Sequence, residues 1–387
     1  MKLTSHKPCV AIVAGEASGD QHGAKLVRAM LKRQPGLFFC GIGGPGLRQA
    51  GVRIVVDAAE LTVVGITEVL SKIPDILKGM GTFKKLLKSL KPDLLILIDF
   101  PDFNLRIAAA AKKLDIPVLY YISPQLWAWR RGRGRRIGKL VDHMAVILPF
   151  EEQIYQEFNV PVTYVGHPLL DDTLPAAAQA PRDGALIPPV IGLVPGSRKN
   201  EITRLLPVML DAGDILKLKL KHVRFMISRA DTVERQLIEG IVSRRPGWEN
   251  VDVVSNGVDK VFECCDAIIA ASGTVTLQAA IHGTPMVIIY KVSMVSAWLA
   301  RILVRVPNVG LVNLVAGREL VPELLQNDAT GDNIAREIRN MLKDENELNH
   351  LRRQLISLRD VLGGSGASDR VAELALGMIN TGLKIVE

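Results

Sequence analysis

The run Leu94-Leu95-Ile96-Leu97-Ile98-Asp99-Phe100-Pro101-Asp102-Phe103-Asn104 places an unbroken apolar stretch directly ahead of a carboxylate and a proline. A strand with one wet face alternates apolar and polar residues, whereas a continuous apolar run suits a strand buried on both faces. Pro101 disfavours helical geometry in the residue before it, so any following helix starts no earlier than the proline. Asp99 therefore stands at the carboxyl end of a buried strand, the edge at which parallel sheets usually carry their chemistry.

Reading outward, the first half holds further short apolar segments at 9–14, 37–42, 53–56, 118–122, 144–148 and 163–165. Stretches with apolar residues at helical spacing lie between most of them, such as Ala24, Leu26, Val27, Met30 and Leu31. This alternation predicts an α/β fold with a mainly parallel sheet covered by helices on both faces. After His167 and Pro168 the segment 174–189 turns rich in Pro and Ala and loses any apolar period, which marks a linker. The pattern then restarts at 190–194, 223–227, 251–254, 267–270 and 286–289. The expected organisation is an N-terminal domain over 1–173, a linker over 174–189, a second α/β domain over 190–360 and terminal helices over 361–387, broken at Gly363-Gly364-Ser365-Gly366. Two similar units joined in this way imply a cleft between them.

Composition excludes several classes. A chain of 387 residues suits two cores rather than one, and 48% hydrophobic content rules out a mostly disordered chain. Cys9, Cys40, Cys264 and Cys265 lack metal-site spacing and read as small buried hydrophobes in a reducing compartment. No run reaches the roughly 18 apolar residues of a spanning helix. The segment ahead of the first strand lacks an apolar signal core, so a cytoplasmic location is expected. The net charge of +8 calls for an anionic partner without choosing among nucleic acid, lipid and phosphorylated substrate.

Five places carry chemical meaning. Ala14-Gly15-Glu16-Ala17-Ser18-Gly19-Asp20 joins the first strand to the first helix; Glu16 and Ser18 either meet an anion or hydroxyl-rich ligand or cap the helix. The segment is neither a Walker loop nor the dinucleotide fingerprint. Gly41-Ile42-Gly43-Gly44-Pro45-Gly46 is a second glycine turn with the same two readings. Asp99 can accept a proton from a hydroxyl nucleophile, and Asp102 or Asn104 can cap the following helix. In Val194-Pro195-Gly196-Ser197-Arg198, Arg198 can fork onto phosphate oxygens at a strand exit, or be a plain surface charge. Ser272, Gly273 and Thr274 repeat the phosphate logic, and Gln278 can reach a ribose hydroxyl; the alternative is a helix cap.

Basic residues cluster in two further segments. Lys72, Lys78, Lys84 and Lys85 alternate with apolar residues over 63–90, and Arg131 and Arg133 belong to a basic run after Trp127 and Trp129. Lysines beside interfacial aromatics suit a surface meeting anionic lipid. No RRM or KH signature favours nucleic acid. A solvated lysine face over buried tryptophans is the alternative.

Taken in order, 14–20, 99–104, Ser123-Pro124-Gln125-Leu126-Trp127-Ala128-Trp129-Arg130, Val165-Gly166-His167-Pro168, 193–198, Ser272-Gly273-Thr274 and Asn313-Leu314-Val315-Ala316-Gly317-Arg318-Glu319-Leu320 resemble the lipid-A-disaccharide synthase family over nearly the whole chain. The resemblance implies a GT-B glycosyltransferase of two Rossmann-like domains with parallel sheets facing a cleft. Its N-terminal domain would take the acceptor and face the membrane, and its second would bind the UDP-sugar. The implied reaction joins UDP-2,3-diacylglucosamine to 2,3-diacylglucosamine 1-phosphate, giving the β(1→6) lipid A disaccharide 1-phosphate and UDP. It further implies no metal or other cofactor, the UDP-sugar being a substrate, and a peripheral place on the cytoplasmic face of a Gram-negative inner membrane. Terminal helices returning toward the first domain, and a homodimer that exchanges this end, also occur in the family. By the same resemblance Asp99, Arg198 and Glu16 are the catalytic candidates. Ser18, Asn104, Ser197, Ser272, Gly273, Thr274, Gln278, Asn313 and Glu319 are the substrate-binding candidates.

Two departures stand out. Where many members place Leu-Glu after Ser-Gly-Thr and two intervening residues, this chain has Leu277-Gln278, so an amide replaces a carboxylate and weaker or rearranged nucleotide contact is expected. Gly43-Gly44 replaces an Ala-Gly form, which predicts more backbone freedom on the acceptor side. Rival readings are a UDP-N-acetylglucosamine 2-epimerase or other soluble-sugar GT-B enzyme, and a non-enzymatic, nucleotide-sensitive membrane-binding protein.

Overall fold

The computed structural model describes residues 7–61, 66–124, 126, 131–172, 188–220, 222–255, 257–291 and 308–384. The chain divides into two compact units, Met1–Asp171 with Leu362–Glu387, and Asp172–Val361. The linker segment expected at 174–189 lies almost wholly outside the described residues.

The first unit is built on seven parallel strands: β1 (Cys9–Ala14), β2 (Phe38–Gly43), β3 (Arg53–Asp57), β4 (Leu94–Ile98), β5 (Val118–Tyr121), β6 (His143–Val146) and β7 (Val162–Tyr164). Their spatial order is β3-β2-β1-β4-β5-β6-β7. Every residue of β4 is buried, and its side chains divide between two cores. Leu95 and Leu97 join Ala11 and Val13 on one face, while Leu94, Ile96 and Ile98 join Val10, Ile12 and Ala14 on the other. The period of two along a strand thus supplies both faces from one apolar run. Each buried valine, leucine or isoleucine among them contributes about 1.5 to 3 kcal/mol by leaving water.

The second unit repeats the design with β8 (Val190–Val194), β9 (Arg224–Ser228), β10 (Asp252–Val254), β11 (Ala267–Ala271), β12 (Met286–Tyr290) and β13 (Glu323–Leu325), in the order β10-β9-β8-β11-β12-β13. The sequence pattern anticipates twelve of these strands and misses β13, whose three residues are only half-buried and follow Pro322 without an apolar run.

One device recurs at the amino ends of the strands. Asp93, just ahead of β4, donates its N–H to the Cys9 carbonyl (2.8 Å) and accepts the Cys9 N–H on its carboxylate (2.7 Å). Asp142, ahead of β6, treats Val118 the same way (2.9 and 2.9 Å), and Asp266, ahead of β11, does so to Val190 (2.8 and 2.9 Å). Each pair fixes register at the first residue of the neighbouring strand. Asp266 is fully buried and pairs with the buried Arg352 at 3.4 Å, which balances its charge.

The chain end returns to the first unit. Helix Ala367–Lys384 lays Val371, Ala372, Ala375 and Ile379 into the core that also holds Val27 and Met30 of helix Ala17–Arg33. Asp171 caps its start, accepting from the backbone N–H of Gly366 (2.7 Å), Ala367 (3.0 Å) and Ser368 (3.0 Å) and from the Ser368 hydroxyl (2.7 Å). Burial alone would raise the Asp171 pKa, but these hydrogen bonds outweigh it and hold the group below its usual range. Replacing Asp171 with Ala is expected to cost about 1 to 3 kcal/mol and to raise hydrogen exchange first in helix Ala367–Lys384. Because the folded carboxylate binds its proton less readily than the unfolded one, the Asp171 contribution is present above the ordinary carboxylate range. It is lost as pH falls through the depressed folded value, which acid titration of wild type against D171A measures.

Candidate active site

In an open parallel sheet the ligand crevice forms where neighbouring strands send their connections in opposite directions. In the first unit this point lies between β1 and β4, whose last residues Ala14 and Ile98 are register partners. Glu16 and Asp99 emerge there side by side. In the second unit it lies between β8 and β11, with Val194 paired to Ala270, so the loops holding Arg198 and Ser272 emerge together.

The exit from β4 is strained. Asp99 and Phe100 both adopt left-handed backbone, with φ of 45° and 46°. That conformation costs a residue with a β-carbon about 1 to 2 kcal/mol. The geometry is held by the Asp99 carbonyl, which accepts from the Asn104 side-chain amide at 2.7 Å and from the Tyr120 hydroxyl at 2.6 Å. Phe100 then stacks on Phe103, with ring centroids 5.2 Å apart, and crosses Gly15 so closely that a β-carbon there would lie 2.3 Å from the ring. Glycine at position 15 is thus a demand of close packing.

Burial pushes the Asp99 carboxyl up to about 6, and the nearby Glu16 carboxylate adds to the rise, while a hydrogen bond from the Phe100 backbone opposes it. Glu16 occupies the N-cap position of helix Ala17–Arg33 with extended backbone, yet its side chain makes no capping bond and is exposed. Ser18 is exposed in the first turn. Asp20, by contrast, is buried and turned away from its own helix start, accepting from the backbone N–H of Gly44 (2.7 Å), Gly46 (2.7 Å) and Leu47 (3.1 Å). This bond set joins the two glycine turns and caps helix Pro45–Gln49.

The expected role of Gly43 and Gly44 is corrected here. Neither uses a left-handed φ; a β-carbon on Gly43 would lie 2.4 Å from Leu47 Cδ1, and one on Gly44 would lie 3.0 Å from Asp20 Oδ2. They supply room for Leu47 and Asp20, not freedom.

In the second unit, Arg198 is the N-cap residue of helix Lys199–Lys219, and 73% of its side chain is exposed. Glu201 shapes the loop: it accepts the Ser197 N–H at 3.2 Å and meets the Arg198 guanidinium at 3.4 Å. Gly196 has φ +108°, and a β-carbon there would strike Glu201 Oε2 at 2.5 Å. The Arg198 fork is left open to solvent by this contact, which as an exposed pair is worth little. Beside it, Gly273 and Thr274 start helix Thr274–Ile281, with Thr276 folded back to the Gly273 carbonyl at 2.8 Å. Gln278 lies one turn beyond Thr274 on the same helix face and is half-buried.

Two expected substrate contacts are committed inside the protein. Asn104 is fully buried and donates to the carbonyls of Ile98 and Asp99. Asn313 is also fully buried, donating to Val321 O and to Glu323 (2.8 Å each) and accepting from the N–H of Leu320 (2.8 Å) and Val321 (3.0 Å). Glu323 in turn accepts the N–H groups of Val309 (2.7 Å) and Gly310 (3.0 Å), capping helix Leu311–Ala316. Glu319 is exposed beyond that helix. Sequence reasoning gave Tyr120, Glu201 and Glu323 no role, since each acts through partners distant in the chain or through backbone groups.

On the basic segments, Lys78, Lys84 and Lys85 are exposed along helix Ile66–Leu90. Arg133, expected at a membrane-facing surface, pairs with Asp102 at 2.5 Å, tying the basic run to the first turn of helix Pro101–Lys112. Trp127, Trp129 and the side chains of Lys72 and Arg131 lie outside the described residues. Among the described residues no helix is long and apolar enough to cross a membrane, and no group of three or more His, Cys, Asp or Glu is arranged to hold a metal. A cavity of about 540 Å³ opens at the amino edge of the second sheet beside Val190, Arg224, Trp248 and Asp252, away from the strand exits described above.

Comparison with known proteins narrows the reading. A family model described as lipid-A-disaccharide synthetase matches residues 10–369. A lipid-A-disaccharide synthase of Syntrophus aciditrophicus is 48% identical over 379 residues, covering 96% of this chain and 97% of that protein. One from Geobacter sulfurreducens is 46% identical over 383 residues, covering 97% and 98%. Among solved structures, the glycotransferase of kitacinnamycin superposes with a TM-score of 0.62 at 16% identity, covering 97% of this chain and all (100%) of that one. UDP-GlcNAc 2-epimerase from Neisseria meningitidis bound to UDP-GlcNAc does so at 0.63 and 12%, covering 96% and 100%. A transferase and an epimerase fit the same scaffold, so that likeness speaks for the fold alone. The sequence match decides between them: this chain belongs to the lipid-A-disaccharide synthetase family and is a glycosyltransferase with two Rossmann-like domains of the GT-B kind.

Proposed function

We propose that the enzyme joins UDP-2,3-diacylglucosamine to 2,3-diacylglucosamine 1-phosphate by a single inverting displacement, giving the β(1→6) disaccharide 1-phosphate and UDP. Asp99 takes the proton of the acceptor 6-hydroxyl as that oxygen bonds to the anomeric carbon. The anomeric bond to UDP breaks, and its electron pair stays on the departing diphosphate. Arg198, with the Ser197 hydroxyl and the backbone amides that open the helices at Lys199 and Thr274, stabilises that charge; Ser272 and Gln278 contact the nucleotide. Glu16 keeps the Asp99 proton affinity high, and Ser18 and Glu319 contribute polar contacts to the sugars. Asn313 acts indirectly, through Glu323, which holds Val309 where its carbonyl meets the Ser272 hydroxyl at 3.5 Å. No step calls on a metal.

The observation that carries this reading is the carboxyl of Asp99, at the switch point of the first sheet with its pKa raised to about 6. A base tuned near working pH combines adequate ionisation with useful proton affinity. Attachment to the cytoplasmic face of the inner membrane is part of the same reading. Helix Ile66–Leu90 supports it by exposing Ile73 (41%) and Leu77 (54%) one turn apart, with Lys78, Lys84 and Lys85 available to anionic headgroups.

Asp99→Asn is expected to fold normally and to lose about 10²- to 10⁴-fold in turnover, read by mass analysis of the disaccharide product; near-normal transfer by folded D99N removes the base role. The acid limb of kcat/KM is expected near pH 6, because Asp99 must be ionised and protonates as pH falls through that value. Glu16→Gln removes a repelling charge and should move this limb downward. For Arg198→Ala, the loss of a charge-assisted phosphate contact should raise KM for the UDP-sugar about tenfold or more, and unchanged donor kinetics would rule the contact out.

A further inference from the structure

We propose that Asn104 and Tyr120 are positioning residues for the transfer step, gripping the Asp99 carbonyl oxygen so that the strained exit from β4 keeps its carboxylate in place. The proposal deepens the reading of Asp99 as the base and rests on it. Both side chains are fully buried, which separates them from any direct contact with substrate. Both donate to one oxygen, at 2.7 and 2.6 Å. Asn104 also binds the residues on either side: its amide reaches the Ile98 carbonyl at 3.2 Å, and its backbone N–H reaches the Phe100 carbonyl at 3.0 Å. Ile98, Asp99 and Phe100 are thus tied to a single asparagine, across the two residues whose φ values are left-handed.

An ordinary strand exit requires no such arrangement. Tyr120 sits in the apolar core on one face of the first sheet, where phenylalanine would avoid burying a hydroxyl. Asn104 leaves its Oδ1 buried with no hydrogen-bond partner, a cost that a leucine would not carry. With both amide hydrogens given to backbone carbonyls, the amide has one workable orientation. Burial holds the Tyr120 phenol well above its usual pKa, so it remains a donor throughout the working range. Polar groups kept at such expense around one carbonyl, beside a residue that must hold its carboxylate to a fraction of an ångström, fit a supporting shell for catalysis.

The test compares Tyr120→Phe and Asn104→Ser with wild type and D99N, using the full chain and the acylated donor and acceptor. Y120F keeps the buried ring and removes only the hydroxyl; N104S shortens the side chain so that it cannot span both carbonyls. For each, kcat per folded molecule is expected to fall about ten- to hundredfold while KM for both sugars stays within about twofold. The acid-limb midpoint should move down from about 6, as the loosened segment lets water reach Asp99. A merely structural role would lower the melting temperature and leave kcat per folded molecule and the midpoint where they were; that result in either variant overturns the proposal. If D99N loses turnover while Y120F and N104S keep theirs, the base assignment stands and the grip falls. If D99N keeps turnover, the base assignment falls and takes the grip with it.

Discussion

The two-point aspartate clamp at the amino ends of the strands governs where everything else comes out. Parallel strands meet through slanted bonds and carry no hairpin to set their register, so an alignment made at one edge is passed unchanged to the other. Asp93 makes it between β4 and β1, and Asp266 makes it between β11 and β8. These are the two pairs that flank the switch points. The alignment at the base brings Ala14 level with Ile98, and Val194 level with Ala270, at the opposite edge. Glu16 beside Asp99, and Ser197 with Arg198 beside Ser272, are consequences of that register.

A second recurring element is a remote carboxylate set against a helix start. Asp20 meets the start of helix Pro45–Gln49, Glu323 that of Leu311–Ala316, and Asp171 that of Ala367–Lys384. In each case unsatisfied backbone N–H groups and the positive end of the helix dipole favour negative charge. Each carboxylate comes from a different element, so the bond fastens two parts of the fold as well as satisfying one helix. The glycines nearby serve this packing: a β-carbon on Gly46 would come within 2.8 Å of Asp20, and one on Gly310 within 3.0 Å of Glu323.

The candidate site was legible in the sequence where chemistry and chain order coincide. Asp99 ends an apolar run and precedes a proline; Arg198 and Ser272 follow apolar strands in loops ahead of helices. Each could be placed at a strand exit from local pattern alone. Asn104 and Asn313 were also visible as polar residues near those exits, but local pattern cannot tell an amide facing a ligand from one folded onto backbone carbonyls six or eight residues away. Tyr120 read as one more residue of an apolar strand. Glu323 sat in a strand too short and too half-buried to announce itself. The pairing of Arg133 with Asp102 joins residues 31 apart in sequence, so a basic run read as a free surface is partly spent inside the unit.

By itself the sequence determined the α/β character, the two-unit organisation, twelve of the thirteen strands among the described residues and the family, because apolar runs, periodicity and glycine turns are short-range signals that survive in one dimension. Only the tertiary structure decided which polar residues stay open at the strand exits and which are consumed as clamps, caps and grips. The physical reason is that a buried amide or carboxylate must find its partner wherever the fold puts one, and here those partners belong to other strands and helices.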